Sequence, residues 1–151
     1  MYPSGVATLG ATIDGADVLM LTSSFTVGVS HDPPMCSVAI QKSSATWPVL
    51  SRAGWIGVSV LSSAHASSVA LLGSRDPRNR TSAATLTRSA LGSVFLDGAA
   101  GWYECTQVRE VDAGDHVIVL LQVTRGFASD SVPPLVLHRG VTHVPVEVTQ
   151  R

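Results

Sequence analysis

Apolar positions in this chain fall mostly in short runs of period two, punctuated by Gly, Pro, Asp and Ser. A period of two places successive side chains on opposite faces of a strand, so the pattern predicts strands rather than long helices. Val6-Ala7-Thr8-Leu9-Gly10-Ala11-Thr12-Ile13 predicts a first strand, Asp14-Gly15 a tight turn, and Val18 to Leu21 the return of a hairpin. Phe25 to Ser30 continues in extended character until Asp32-Pro33-Pro34, where proline cannot donate to a ladder. Met35 to Gln41 alternates cleanly, with Cys36, Val38 and Ile40 on one face. Trp55 to Leu61, Trp102 to Val111, His116 to Thr124 and Leu135 to His138 complete the predicted strands.

Helical signals are short. Ser43-Ser44-Ala45-Thr46 can cap a helix that starts near Pro48 and ends near Gly54. Ser62-Ser63 can cap a second, roughly Ala64 to Leu72, with Gly73 as its stop. Ser74 to Thr85 is polar, carries Asp76-Pro77 and three arginines, and reads as a loop. Residues after Val144 read as a loose tail. About seven short strands hide their edges best by closing on themselves, so the fold class is all-β with small helices, a barrel rather than a sandwich.

Length and composition narrow this further. The 151 residues, 45% hydrophobic and 14% charged, supply one sizeable core and no second, so residues 1–151 are read as a single domain. A formal net charge of -1 gives no footprint for nucleic acid or an anionic membrane surface. No apolar run approaches the roughly 20 residues needed to span a bilayer. Met1 to Gly5 lacks the basic and apolar regions of a signal peptide, so a cytoplasmic protein is expected. Cys36 and Cys105 lack CxxC spacing and read as buried thiols. His31, His65, His138 and His143 have no ligand spacing tied to carboxylates, so no metal site is expected. Nothing pairs Asp32 or Glu104 with a second carboxylate, as hydrolase chemistry requires.

The candidate chemistry lies in two hydroxyl clusters flanking one strand, Thr22-Ser23-Ser24-Phe25-Thr26 and Ser43-Ser44-Ala45-Thr46. A phosphate needs several short donors, and the second cluster offers them, although the same residues also serve as plain helix caps. The first suits the polar edge of a planar heteroaromatic ring, with Phe25 at its flank, or an ordinary turn. Spacing alone leaves both alternatives open.

These segments resemble the flavin reductase-like family. Thr22-Ser23-Ser24-Phe25-Thr26 followed by Ser30-His31-Asp32-Pro33-Pro34 is similar to its SSFT and DPP signature, and Ser43-Ser44-Ala45-Thr46-Trp47 to its phosphate loop. Gly98 to Cys105 resembles its GA-x-x-W-x-E-C strand, Ala113-Gly114-Asp115-His116 its GDH turn, and Pro134 to Gly140 its late PL-x-x-H-x-G strand. The resemblance implies an FMN-binding split β-barrel, a homodimer that binds FMN or FAD near the subunit interface. It also implies hydride transfer from NADH or NADPH and delivery of reduced flavin to a partner monooxygenase. Carried over by position, it sets the isoalloxazine edge against Thr22, Ser23 and Ser24, with Phe25 beside it. The phosphate falls to Ser43, Ser44 and Thr46 with Lys42 as an added cation, Trp47 and Ser59 also line the cofactor, and His116 lies near the nicotinamide.

Departures from the family pattern bear on activity more than on fold. Ser59 stands where many relatives have asparagine, Thr81 follows Arg80 in place of the usual phenylalanine, and Thr142 replaces a frequent aromatic. These leave a flavin-binding or small-molecule-binding barrel without reductase turnover, or a biosynthetic enzyme acting on an organic substrate in the same pocket, as alternatives.

Overall fold

The computed structural model describes residues 2–147. Residues 148–151 of the expected tail lie outside that range. The chain opens with β1 (Ser4–Gly5), β2 (Ala7–Ile13), β3 (Ala16–Thr22), β4 (Thr26–His31) and β5 (Pro34–Gln41). Helix α1 (Trp47–Leu50) leads to β6 (Ile56–Val60), a 3-10 helix (Ser63–Ser68), α2 (Val69–Leu72) and α3 (Pro77–Ser82). Then come β7 (Leu86–Arg88), β8 (Val94–Leu96), the long hairpin β9 (Gly101–Ala113) and β10 (His116–Ala128), β11 (Val136–His138) and β12 (Val141–His143).

The principal sheet has seven strands in the order β3-β2-β6-β9-β10-β5-β4. Its pairings are antiparallel. At the β2–β3 turn Asp14 and Gly15 both take positive φ, 51° and 79°, the type I′ geometry that two-residue hairpins favour.

The strands at the two ends of this order, β3 and β4, are consecutive in sequence and separated only by Ser23–Phe25. The sheet therefore curls until its ends meet, and Ser24 makes the join. Thr26 pairs with Ser37 on β5, so the next pair in that register would be Ser24 with Ala39. The Ser24 hydroxyl takes that place, donating to the Ala39 carbonyl at 2.8 Å and accepting from the Ala39 N–H at 3.0 Å. Its proton is thereby used, so the Thr22 hydroxyl donates to Ser24 Oγ at 2.9 Å and accepts from the Ser24 N–H at 3.1 Å.

Inside the barrel lie Leu9, Cys36, Val38, Ile56, Val58, Cys105, Val119 and Leu121, with Trp47 and Leu50 of α1 at one end. Cys36 and Cys105 are free buried thiols with sulfurs 3.9 Å apart. A second cluster, including Leu19, Leu61, Leu72, Val94, Leu96 and Leu135, fills the space between the outside of the sheet and the helical segment. Strand β2 is sandwiched between the two, which is why its sequence is almost continuously apolar. Gly10 and Gly57 are register partners on β2 and β6. A Cβ at Gly57 would lie 2.5 Å from the Val94 carbonyl oxygen and 2.8 Å from the Phe95 ring. The paired glycines thus let β8 settle directly on the sheet.

The predicted 64–72 helix divides into a 3-10 turn and α2, capped by Ser62. His65 is buried there: Nδ1 accepts from the Ser62 N–H at 3.1 Å, which leaves Nε2 to donate to the Asp97 carbonyl at 3.0 Å. The segment Ser74 to Thr85 is not a plain loop. Asp76 caps α3 by accepting from the Arg78 N–H, and Pro77 occupies its first position. Strands β7, β8 and β12 were not predicted. At three residues each they are too short to show a period.

Gly57→Ala should destabilise the fold by about 1–3 kcal/mol, since a backbone carbonyl must give way. Gly5→Ala, with nothing within 4 Å of the added carbon, should stay within about 0.5 kcal/mol. Urea denaturation of both variants checks the contrast. Ser24→Ala leaves the Ala39 N–H and carbonyl without their partner and should cost about 1–3 kcal/mol. In hydrogen exchange the Ala39 amide should lose more protection than the centre of β9.

Candidate functional site

Where β3 meets β5 the sheet does not zip fully, and a cavity of about 410 Å³ opens along the seam. Met20 to Ser24 form one wall, Ala39, Ile40 and Gln41 the other, and Ser44 and His116 complete it. Five of the residues predicted from sequence, Thr22, Ser23, Ser24, Ser44 and His116, therefore converge. The volume lies within the roughly 300–1,000 Å³ usual for small-molecule sites.

The hydroxyls here divide their work. Those of Thr22 and Ser24 satisfy each other and Ala39, so they hold the seam's geometry. The Ser23 hydroxyl is exposed and has no hydrogen-bond partner among the described residues. Ser44 Oγ accepts from the Trp47 N–H at 3.2 Å, so it secures the start of α1 while lining the cavity. His116 opens β10 opposite Gln41, and its Nδ1 lies 2.7 Å from Asp115 Oδ1. The hydrogen bond with His116, helped by its charge, holds the Asp115 carboxyl below its usual range. The Asp115 carbonyl also accepts from the Lys42 N–H at 2.9 Å, tying the His116 turn to the hydroxyl loop.

Thr46 and Arg80 lie just beyond this wall. Thr46 stands at the N-cap of α1 but makes no capping bond. Its oxygen instead accepts from Arg80 Nη1 at 3.0 Å. Arg80 lies in the last turn of α3, the helix that sequence periodicity missed. The only cue there was Asp76-Pro77, a cap followed by a first-turn proline.

Other predicted residues stand apart from the cavity. Lys42 is on the surface, its ammonium paired with Asp112. Ser43 is exposed beside it. Phe25 packs on the core and against the Tyr103 ring at 5.8 Å. Trp47 is a core residue whose Nε1 donates to Glu110 at 2.9 Å. Ser59 is fully buried and accepts from the Leu96 N–H at 3.0 Å, fastening β8 to β6. Thr81 bonds back within α3, and Thr142 sits on β12 opposite Leu137. Sequence had missed Met20, Leu21, Ala39, Ile40 and Gln41, which line the cavity because strand pairing carries them there.

A larger cavity, about 530 Å³, lies at the far end of the β9–β10 hairpin. Phe95, Trp102 and Phe127 give it an aromatic patch, and it contains none of the residues predicted for cofactor binding. Its two arginines are already paired, Arg88 with Asp17 and Arg125 with the buried Glu104. The seam cavity, with its convergent polar groups, is the better candidate.

Residues 1–144 match the family described as flavin reductase like domain. The chain is 32% identical to the actinorhodin polyketide dimerase of Streptomyces coelicolor, over 89% of this chain and 75% of that protein. It is 31% identical to the FMN reductase (NADH) RutF of Variovorax paradoxus, over 87% and 78% respectively. Among solved structures, the styrene monooxygenase flavin reductase of Pseudomonas putida S12 superposes with a TM-score of 0.85 at 28% identity, over 98% of this chain and 95% of that one. With this fold, this cavity and a match along nearly its whole length, the chain belongs to the flavin reductase like domain family.

Proposed function

We propose that this chain is a flavin reductase that takes hydride from NADH or NADPH onto FMN or FAD in the seam cavity, and that it supplies reduced flavin to a partner monooxygenase. The observation that carries the reading is the convergence of Thr22–Ser24, Ser44 and His116 on one cavity between β3 and β5. The relatives named for FMN reduction with NADH and for styrene monooxygenase support the cofactor and partner classes.

Hydride transfer between stacked nicotinamide and flavin rings is chemistry the cofactors bring, so the protein's task is to bind and orient them. Met20 and Ile40 give the cavity apolar surface for a ring. The rigid Thr22–Ser24 turn sets the polar edge against it, with the Ser23 hydroxyl unused by the fold. Ser44 and Thr46 receive the phosphate, while Ser43 and Lys42 stay on the surface outside the cavity. His116, held by Asp115, orients the nicotinamide at the opposite wall. No protein nucleophile is required.

Assembly as a homodimer is part of this reading. Val111, Ile118 and Ala39 form a row across β9, β10 and β5, with Val111 and Ile118 exposed. That row adjoins the Ala39, Gln41 and His116 wall of the cavity, so a second copy covering it would close the site. A cytoplasmic location is likewise part of the proposal; no helix among the described residues is long and apolar enough to cross a membrane.

A second reading, an enzyme acting directly on an organic substrate in the same cavity, is favoured by the polyketide dimerase relative. Anaerobic stopped-flow bleaching of oxidised FMN or FAD by each nicotinamide separates the two. Rapid bleaching is expected, and its absence despite flavin binding would exclude the reductase. His116→Ala should raise the apparent nicotinamide constant several-fold more than the flavin constant; equal effects would deny it that position. Ile118→Glu should convert a dimer to a monomer in light scattering and weaken flavin binding with it.

A further inference from the structure

Arg80 is a partly buried cation without an ion-pair partner among the described residues. Among the described residues no carboxylate lies within 4.0 Å of its guanidinium. The nearest helical acid, Asp76, is occupied by Arg78, which donates Nε at 3.2 Å and Nη2 at 2.9 Å. Arg80 Nε is shielded from solvent and has no acceptor. Burial pushes the Arg80 pKa below its ordinary value, with the charge of Asp76 opposing it, the direction expected of a cation short of water. Such an arrangement is unfavourable unless an anion completes it.

Among the described residues the only hydrogen-bond acceptor for this guanidinium is Thr46 Oγ1, at 3.0 Å from Nη1. Because that oxygen accepts from Arg80 and does not cap α1, its own proton is free for another acceptor. A guanidinium fork and a hydroxyl proton side by side form an acceptor-free surface matched to a phosphate. Ser44, two residues from Thr46, lines the seam cavity, so an anion here is continuous with a ring held there. Lys42 is the competing cation, but its charge is spent on Asp112 at the surface.

We propose that Arg80, with Thr46 as its hydroxyl partner, reads the phosphate of the bound flavin and makes the chain select phosphorylated flavins over riboflavin. This rests on the flavin reading above. It assigns the discrimination to α3, a segment without direct contact with the ring cavity.

Titrating the full chain with FMN and with riboflavin, which lacks the phosphate, tests it. In Arg80→Met the FMN dissociation constant should rise about 10- to 100-fold, equivalent to about 1.4–2.8 kcal/mol, while that of riboflavin changes less than about 3-fold. Arg80→Lys keeps the charge without the fork and should fall between. It also serves if the methionine variant fails to fold. Equal weakening of FMN and riboflavin would make Arg80 a structural prop, and unchanged FMN binding would remove it from the site; either result overturns the proposal. Failure of the wild-type chain to bind FMN at micromolar concentration would overturn the flavin reading itself, a result distinct from both.

Discussion

The fold depends on how a seven-stranded sheet closes with one hydroxyl. β3 and β4 end the sheet order yet are neighbours in the chain, so three residues must carry the backbone around the seam. A full ladder from β3 on to β5 would fill the space beside that turn. Ser24 instead stands in for a missing backbone partner of Ala39, satisfying a donor and an acceptor while leaving a gap beside them. Buried amide groups tolerate no such gap unless something polar completes them, and one side-chain oxygen does so. The cavity follows from that incomplete closure.

Two other constraints hold the seam in place. The glycine pair Gly10–Gly57 lets β8 sit against the sheet, so the side of β2 and β3 away from the barrel is covered and these strands are fixed from both faces. On the far wall, the bond from the Lys42 N–H to the Asp115 carbonyl joins the hydroxyl loop to the turn that presents His116. Residues remote in sequence thus meet across the cavity through main-chain bonds, which have fewer alternative geometries than long side chains. A site that works by aligning two cofactors needs this rigidity more than it needs reactive groups.

Much of the fold was legible from local signals. Asp14-Gly15 specified its turn because only residues tolerant of positive φ fit a two-residue hairpin, and Cys36, Val38 and Ile40 pointed inward as their alternation required. Strands β7, β8 and β12 and the short α3 were not legible, since nothing so brief has a measurable period, whereas β11, equally short, fell within the predicted strand Leu135 to His138. The site was legible in part. Clustered hydroxyls marked the seam, but the same residues serve as caps and turns: Ser44 secures α1 while it lines the cavity, and Thr46 does not cap at all.

By itself the sequence determined most of the strand pattern, the tight turns, a net charge close to zero, and a family resemblance that the match over residues 1–144 bears out. Those properties are local or compositional, and neighbouring residues dictate them. Only the tertiary structure decided which hydroxyls face the cavity and which hold the seam. It also placed Trp47 and Ser59 in the packing and brought Arg80 to Thr46 across 34 residues of chain. Such pairings arise where strand register and helix docking bring distant segments within hydrogen-bond reach, and no run of adjacent residues encodes that distance.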